Sequence, residues 1–336
     1  MKIGIHHNPG SFSERWIKYC ETNNIDFKIV DCYQNDIIKQ LEDCDAFMWH
    51  HNHLNFKDLL FAKQLLYSLE TAGKRVFPDF KSNWHFDDKI GQKYLFEAFN
   101  IPHAPTYIFY NKQDALKWVE KTNFPKVFKL RCGAGSLNVN IIHSKKAAIK
   151  KIKVAFGKGF FLFDRSEYLR EIIRHYKNGK DTLLSILKTL IRIIIQSDNS
   201  RMQKKEKGYI FFQEFVSTKG FDIRVVVIGE KAFALKRNVR KNDFRASGSG
   251  DFTFNIDEIP ISAIKIAFEV SNKIQASCIA YDIVFNEKEE PLILEVSFGF
   301  AMKVYDGCPG YWDRNLQLHL GQFNPQAWMV DLLKIE

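Results

Sequence analysis

The chain has 336 residues, enough for two or three domains with their own cores, and its 46% hydrophobic and 26% charged content excludes a disordered or low-complexity protein. No run of 18 apolar residues occurs, and Met1-Lys2-Ile3 leads straight into a strand-like start, so neither a spanning helix nor a signal peptide is expected. The net charge of +10 is concentrated in one place: Lys145 to Lys207 carries 17 Lys/Arg against 6 Asp/Glu, leaving 32 against 33 elsewhere. A nucleic-acid footprint is not expected from one such stretch. Six cysteines (20, 32, 44, 132, 278 and 308) form no C-x-x-C pair, which argues for reduced thiols in the cytoplasm and against a zinc site.

The first 80 residues alternate strand and helix. "KIGIHH", "FKIVDC", "DAFMWHH" and "RVFP" read as strands, and "ERWIKYCETNN", "DIIKQLED" and "FKDLLFAKQLLYSLETAGK" as helices between them. This βαβ pattern predicts a small parallel sheet with helices on its faces. Five of the ten histidines follow two of these strands: His6 and His7, then His50, His51 and His53. Ligands bind beyond the carboxyl ends of strands in open α/β sheets, which makes His7, His50 and His51 candidate substrate contacts. Ordinary loop histidines and a bound transition metal are the alternatives.

Beyond this part come a helix in "FDDKIGQKYLFEAFN", a Pro-set strand in "IPHAPTYIFY" and a helix in "KQDALKWVEKT". "PKVFKLRCGAGSLNVNIIH" reads as strand, turn, strand. Lys129 stands just before Gly133, Gly135 and Ser136, where small residues let backbone amides approach phosphate and a lysine adds a point charge. The basic stretch is read as largely helical. After it come the strands "YIFFQEFV" and "FDIRVVVIGEKAFALKRNV", the polar tract "RKNDFRASGSGDF" and the helix "AIKIAFEVSNKIQ".

The last strand pair is the most informative. "AYDIVFNEKEEPLILEVS" places one acid in each of two apolar runs, Asp282 and Glu295. A hairpin closed over Asn286 to Pro291 pairs Phe285 with Leu292 and carries Asp282 directly opposite Glu295. Facing carboxylates destabilise a hairpin unless they are well solvated or share a hard cation such as Mg²⁺. Ser297, two residues on, offers a third oxygen on the same face.

The order Lys89, Lys129 with its Gly turn, "QEFV", "FDIRVVVIG", "NDFRASGSG" and "DIV…LEVS" resembles the ATP-grasp superfamily, in the branch of ribosomal-protein glutamate ligase. The resemblance covers roughly Asp87 to Phe300. It implies an α/β and α+β architecture: an N-terminal βαβ domain (1–84), a central and lid part (85–212) and a C-terminal part (213–336) with the metal site. The helical basic insertion (156–207) departs from the family, which usually crosses there in fewer residues.

The resemblance further implies that Lys89 and Lys129 contact ATP phosphates under a loop from Gly133 to Ser136. Gln213, Glu214, Phe215 and Val216 would form the adenine hinge, and Asp222 would hold the ribose. Arg237 and Arg245 would be the catalytic pair, and Asp282, Glu295 and Ser297 would hold one or two Mg²⁺ ions. The family usually has Asn where Ser297 stands.

The implied reaction is ADP-forming carboxylate–amine ligation through an acyl phosphate. A kinase on the same scaffold and a nucleotide-binding module without turnover are the rivals. The expected partners are a small-molecule acid and an amine. The C-terminal tail resembles ATP-grasp proteins of surface-polysaccharide biosynthesis, pointing to a sugar acid or amino sugar. Tyr311 and Trp312, with Tyr305, would supply a sugar platform or else a hydrophobic lid. The insertion is expected to pack on its own domain, to self-associate, or to lie on an anionic membrane surface.

Overall fold

The computed structural model describes residues 1–133, 138–162, 205–240 and 243–334, together with Ile173 and Tyr176. Gly135, Ser136 and most of the basic insertion lie outside the described residues.

The chain opens with β1 (Ile3–His6), α1 (Ser13–Thr22), β2 (Phe27–Val30), α2 (Ile37–Gln40), β3 (Ala46–Met48), α3 (Phe56–Thr71) and β4 (Arg75–Phe77). The four strands form a parallel sheet in the order β2-β1-β3-β4. Apolar β1 and β3 are wholly buried at its centre, as expected of parallel strands covered on both faces. The helix expected over "DIIKQLED" shrinks to the single turn α2, with only Ile37 buried. One anchoring side chain gives little reason for a second turn.

Next come α4 (Phe80–Asn83), α5 (Lys89–Ala98), β5 (Thr106–Phe109), α6 (Lys112–Lys121), β6 (Lys126–Lys129), β7 (Asn140–Ile142), α7 (Lys145–Ala155) and β8 (Ile210–Glu214). Here the strands make an antiparallel sheet in the order β5-β8-β6-β7. Ala115 and Val119 of α6 and Ala148 and Ile152 of α7 pack with Phe128 and Phe212, closing one side of it. Asn111 and Ser144 cap the two helices with side-chain hydrogen bonds, which fixes where each begins.

The remainder is β9 (Phe221–Ile228), β10 (Lys231–Asn238), β11 (Phe252–Thr253), α8 (Ile261–Ile274), β12 (Cys278–Phe285), β13 (Pro291–Ser297), β14 (Gly310–Asp313), β15 (Leu318–Leu320) and α9 (Pro325–Leu332). Its sheet runs β13-β12-β9-β10-β14-β15, with β11 added on β10. Alternation splits each strand between two cores. Ile223, Val225, Val227, Ile279, Tyr281 and Ile283 face α8. Val226, Ile228, Phe233, Leu235 and Ala280 face the other way, against Ile3, Ile5, Phe12 and Trp16 of the first unit. By the same period of two, Asp222, Arg224, Arg237 and Asp282 project from that second face. At one end of the sheet, apolar packing therefore gives way to charge.

The β12–β13 hairpin pairs Asp282 with Glu295 as expected, but by a different route. Phe285 pairs with Pro291, not Leu292, and a bulge between the Asp282 and Ile283 pairs makes up the one-residue difference. Leu294 is the extra residue. Ile293 and Val296 both join the core under α8, while Leu294 and Glu295 both line the cleft on the opposite side. A bulge re-aims side chains in just this manner.

Candidate active site

Two connected spaces open between these sheets. The first is a narrow slot between the β5-β8-β6-β7 sheet and the large sheet. Val127, Val139, Phe215, Phe221, Val284 and Leu294 give it apolar walls. At its inner end stand Lys89, Lys129, Asp282 and Glu295, with Arg245 also on the wall. Apolar walls together with a cluster of cations and carboxylates suit a base on the walls and phosphates at the cluster.

Each charged group is held from the backbone up. Asp88 caps α5 by accepting from the N–H groups of Ile90 and Gly91, so Lys89 is the first residue of that helix. The Gln92 amide clamps α5 to β13, accepting from Val296 N–H at 3.2 Å and donating to its carbonyl at 2.9 Å. Lys89 Nζ thereby lies 2.9 Å from Glu295 Oε1 and donates to the Gly133 carbonyl at 2.9 Å. Burial opposes its charge, but Glu295 and Asp87 hold its pKa above the ordinary value. Lys129 is equally enclosed. Burial drives it down to about 8, against the pull of Glu295 and Asp282.

Asp282 is engaged by two guanidinium groups, Arg224 at 2.8 Å and Arg237 at 2.9 Å. Burial works against its charge, yet the two arginines keep it below the usual carboxylate range. Arg237 also makes a bidentate pair with Asp222 at 2.7 and 2.8 Å, its register partner across β9–β10. Glu214, at the end of β8, is gripped by Lys126 through both oxygens, at 2.6 and 2.7 Å. Asp87 has φ +53, a left-handed conformation uncommon outside glycine, and accepts from Gly133 N–H at 2.7 Å. Burial raises its pKa.

The second space is a chamber of about 590 Å³ that shares Asp282, Glu295, Ala246 and Ser247 with the slot. Arg224, Arg237, Ser297 and Tyr305 line it from the large sheet and the segment after it. His50, His51, His53 and the loop Asn8 to Ser11 line it from the first unit. His50 stacks on Phe12 at 3.7 Å and accepts from Phe12 N–H, while His51 Nε2 bonds Asn83 Oδ1 at 2.9 Å. Burial lowers both imidazoles to about 3, so they stay neutral at ordinary pH. The Ser297 hydroxyl donates to the Gly299 carbonyl at 2.8 Å and accepts from Gly299 N–H at 3.1 Å.

Of the residues picked from the sequence, Lys89, Lys129, Gly133, Gln213 to Val216, Asp222, Arg245, Asp282 and Glu295 meet around the slot. Arg237, Ser297, His50 and His51 meet around the chamber. Three do not join them. His7 is exposed, with Nδ1 3.1 Å from Ser13 Oγ, because β1 ends one residue before it. Tyr311 and Trp312 sit on β14, flanked by β10 and β15. Tyr311 stacks on His319, and Trp312 enters the core under α8. Strand pairing has taken the aromatic platform out of the cleft, leaving only Tyr305 of that trio facing the chamber. Arg224 is not among the sequence candidates, though a lone arginine amid "FDIRVVVI" is a usable signal. It is the register partner of Asp282 on β9.

A slot clasped between two antiparallel sheets, with opposed carboxylates among its lining, is the arrangement of an ATP-grasp enzyme. Residues 86–306 match the RimK-like ATP-grasp domain. The chain belongs to that family and is an ATP-dependent ligase of the ATP-grasp type. It is 21% identical over 266 residues to the α-aminoadipate–LysW ligase LysX of Saccharolobus solfataricus, covering 78% of this chain and 75% of that one. Its fold is similar to a RimK domain ATP-grasp protein from Sphaerobacter thermophilus (12% identity, TM-score 0.57, 99% of each chain). It is also similar to the ATP-grasp ligase PsnB in a complex with a minimal precursor, Mg and ADP (12% identity, TM-score 0.55, 99% of this chain and 97% of that one). Among the described residues no helix is long and apolar enough to cross a membrane.

Proposed function

We propose that the chain joins a carboxylic acid to an amine in two steps at the junction of slot and chamber. The acid's carboxylate oxygen attacks the γ-phosphorus of ATP, forming an acyl phosphate and expelling ADP. The amine then attacks the acyl carbon, forms the amide, loses a proton and releases inorganic phosphate. The observation that carries this reading is the facing pair Asp282 and Glu295, set among Lys89, Lys129, Arg224 and Arg237 where the two spaces meet.

In the free protein each acid at the junction has a cationic partner: Asp222 has Arg237, Asp282 has Arg224 and Arg237, and Glu295 has Lys89. A triphosphate competes for those lysines and arginines, and the carboxylates it releases then need a divalent cation. Two hard carboxylates beside phosphate oxygens fit magnesium, so Asp282 and Glu295 are its protein ligands in this reading. When bound, the metal would disperse charge on the transferring phosphoryl group. The Ser297 hydroxyl is turned toward Gly299, so we leave it out of the ligand set.

Gln213 to Val216 would border the adenine and Asp222 the ribose, with Lys89 and Lys129 on the phosphates. Arg237 and Arg224 would orient the acid and stabilise the acyl phosphate. Neutral imidazoles, Asn8, Ser11, Asn52 and Ser249 offer the chamber many uncharged hydrogen-bonding groups, which supports a polyhydroxylated partner such as a uronic acid or an amino sugar.

The test is phosphate release over a matrix of uronic acids, amino acids and amino sugars with Mg-ATP. Release that needs both an acid and an amine supports ligation. Phosphate appearing on a single acceptor means a kinase, and nucleotide binding without turnover on any pair would sink the proposal.

A further inference from the structure

Tyr305 has no part in the reading above beyond lining the chamber. It lies in a 3-10 turn, Met302–Gly307, directly after the β12–β13 hairpin. Its ring is wedged edge-on between Phe233 at 5.1 Å and Phe300 at 5.3 Å. Cys308 N–H donates to its carbonyl, and the bidentate pair of Asp306 with Arg15 anchors the adjoining residue. The ring therefore has little freedom. The side chain is only 4% exposed, and its hydroxyl has no hydrogen-bond partner among the described residues.

A buried hydroxyl left unpaired is destabilising, because it has given up its bonds to water without replacing them. A phenylalanine would fill the same space without that cost. Arg224, Arg237 and Asp282 are the charges that act most strongly on the phenol, and Tyr305 lines the same chamber as both arginines. Two guanidinium groups and a phenol lining one chamber supply donors for an oxyanion that takes over the arginines from Asp282 and Asp222. Burial outweighs the arginines and holds the phenol up at about 12, so it is a donor at working pH.

We propose that Tyr305 is a substrate-contacting residue, its hydroxyl donating to an oxygen of the reacting group beside Arg224 and Arg237. That group is the acid's carboxylate or the phosphoryl oxygens it acquires. The assignment rests on the ligase reading but is tested separately from it.

Wild type and Tyr305→Phe are compared by calorimetric titration with Mg-ADP, then with inorganic phosphate and with acetate, each with and without saturating Mg-ADP. The variant should keep the Tm of the free protein or raise it, and should keep its Mg-ADP affinity within about twofold. It should bind phosphate or acetate about tenfold more weakly, the loss expected of a hydrogen bond to a charged partner. Weakening confined to phosphate assigns the phosphoryl oxygens, and weakening confined to acetate assigns the carboxylate. Unchanged affinity for both anions overturns the proposal, as does wild-type protein that binds neither. A fall in Tm also overturns it, because the hydroxyl would then have a structural partner. Wild type that fails to bind Mg-ADP breaks the nucleotide reading alone, since the titrations without nucleotide still decide the role of Tyr305.

Discussion

In the slot, the acids and cations meet: Glu295 with Lys89, Asp282 with two arginines, Glu214 with Lys126. On the far wall of the chamber, His50 and His51 are neutral and tucked among Phe12, Phe86 and Phe298. One half of the cleft stores charge in pairs that a polyanion can exchange. The far wall presents neutral dipoles that select by shape and hydrogen bonding. Recognition of the nucleotide and of the acid's carboxylate should therefore depend steeply on charge and pH, and contacts made to the histidine wall should not.

The sharpest way to break this contrast is at Asp282. Asp282→Asn keeps the shape but removes the charge shared by Arg224 and Arg237. We expect phosphate release to fall by at least about 100-fold, comparable to loss of a preorganised electrostatic contact in other enzymes. Stability should drop by about 3–5 kcal/mol, because two buried guanidinium groups lose a counter-charge. Normal turnover in this variant would end the magnesium assignment.

Lys129→Met comes next. Losing a charge-assisted contact should weaken Mg-ADP binding by about 10–100-fold in calorimetry. The free protein should become more stable at neutral pH, since Lys129 is charged there only against the penalty of burial. The sign follows from linkage. With its pKa lowered from 10.5 to about 8, the folded chain holds fewer protons than the unfolded one between those values. Its contribution to stability therefore rises with pH across that window. Nucleotide affinity should move the other way, weakening above pH 8 in the wild type and losing that dependence in the variant.

The slot was far more legible in the sequence than the chamber, and the reason is local order. Asp282 and Glu295 stand out as acids within two alternating apolar runs, and Lys89, Lys129 and Gln213 to Val216 follow from the order of motifs that carries the family resemblance. Hairpin pairing brought the two acids together even though the turn register was off by one at Phe285 and Pro291. The chamber depends on how the first unit lies against the large sheet, and no repeat or spacing encodes that. His50 and His51 were found because they follow a strand. The same rule does not carry His7 into the cleft, because β1 stops at His6, whose Nδ1 lies 3.1 Å from the Cys32 nitrogen and 3.2 Å from the Val30 carbonyl oxygen. Tyr311 and Trp312 looked like a platform until strand pairing consumed them. Asp87 was passed over because its left-handed backbone has no sequence mark.

The histidine wall gives a third, milder test. Imidazole proton shifts of His50 and His51 should stay flat from pH 8 to pH 5 in NMR titrations. Below the ordinary value of 6.5 the unfolded chain takes up protons that the native one refuses until about pH 3, so stability falls as pH drops through that range. The loss should be on the order of 1–2 kcal/mol per histidine between pH 7 and pH 5. His51→Gln should flatten that acid limb. Titration of either ring near pH 6.5 would show that the wall is wet and charged, dissolving the contrast with the slot.

The smallest effect is expected at Ser297, where the two halves join. Its hydroxyl spends both donor and acceptor on Gly299, and the Gly299 carbonyl also receives Arg224 at 3.3 Å. Ser297→Ala should cost about 0.5–1.5 kcal/mol of stability per hydrogen bond lost. The magnesium concentration for half-maximal turnover should change by less than about threefold, because the carboxylates carry the metal. A tenfold or larger rise in that requirement, with the Tm little changed, would return the hydroxyl to the ligand set. Ser297 would then belong to the charged half of the cleft, and the boundary between the two halves would lie one residue further toward the chamber.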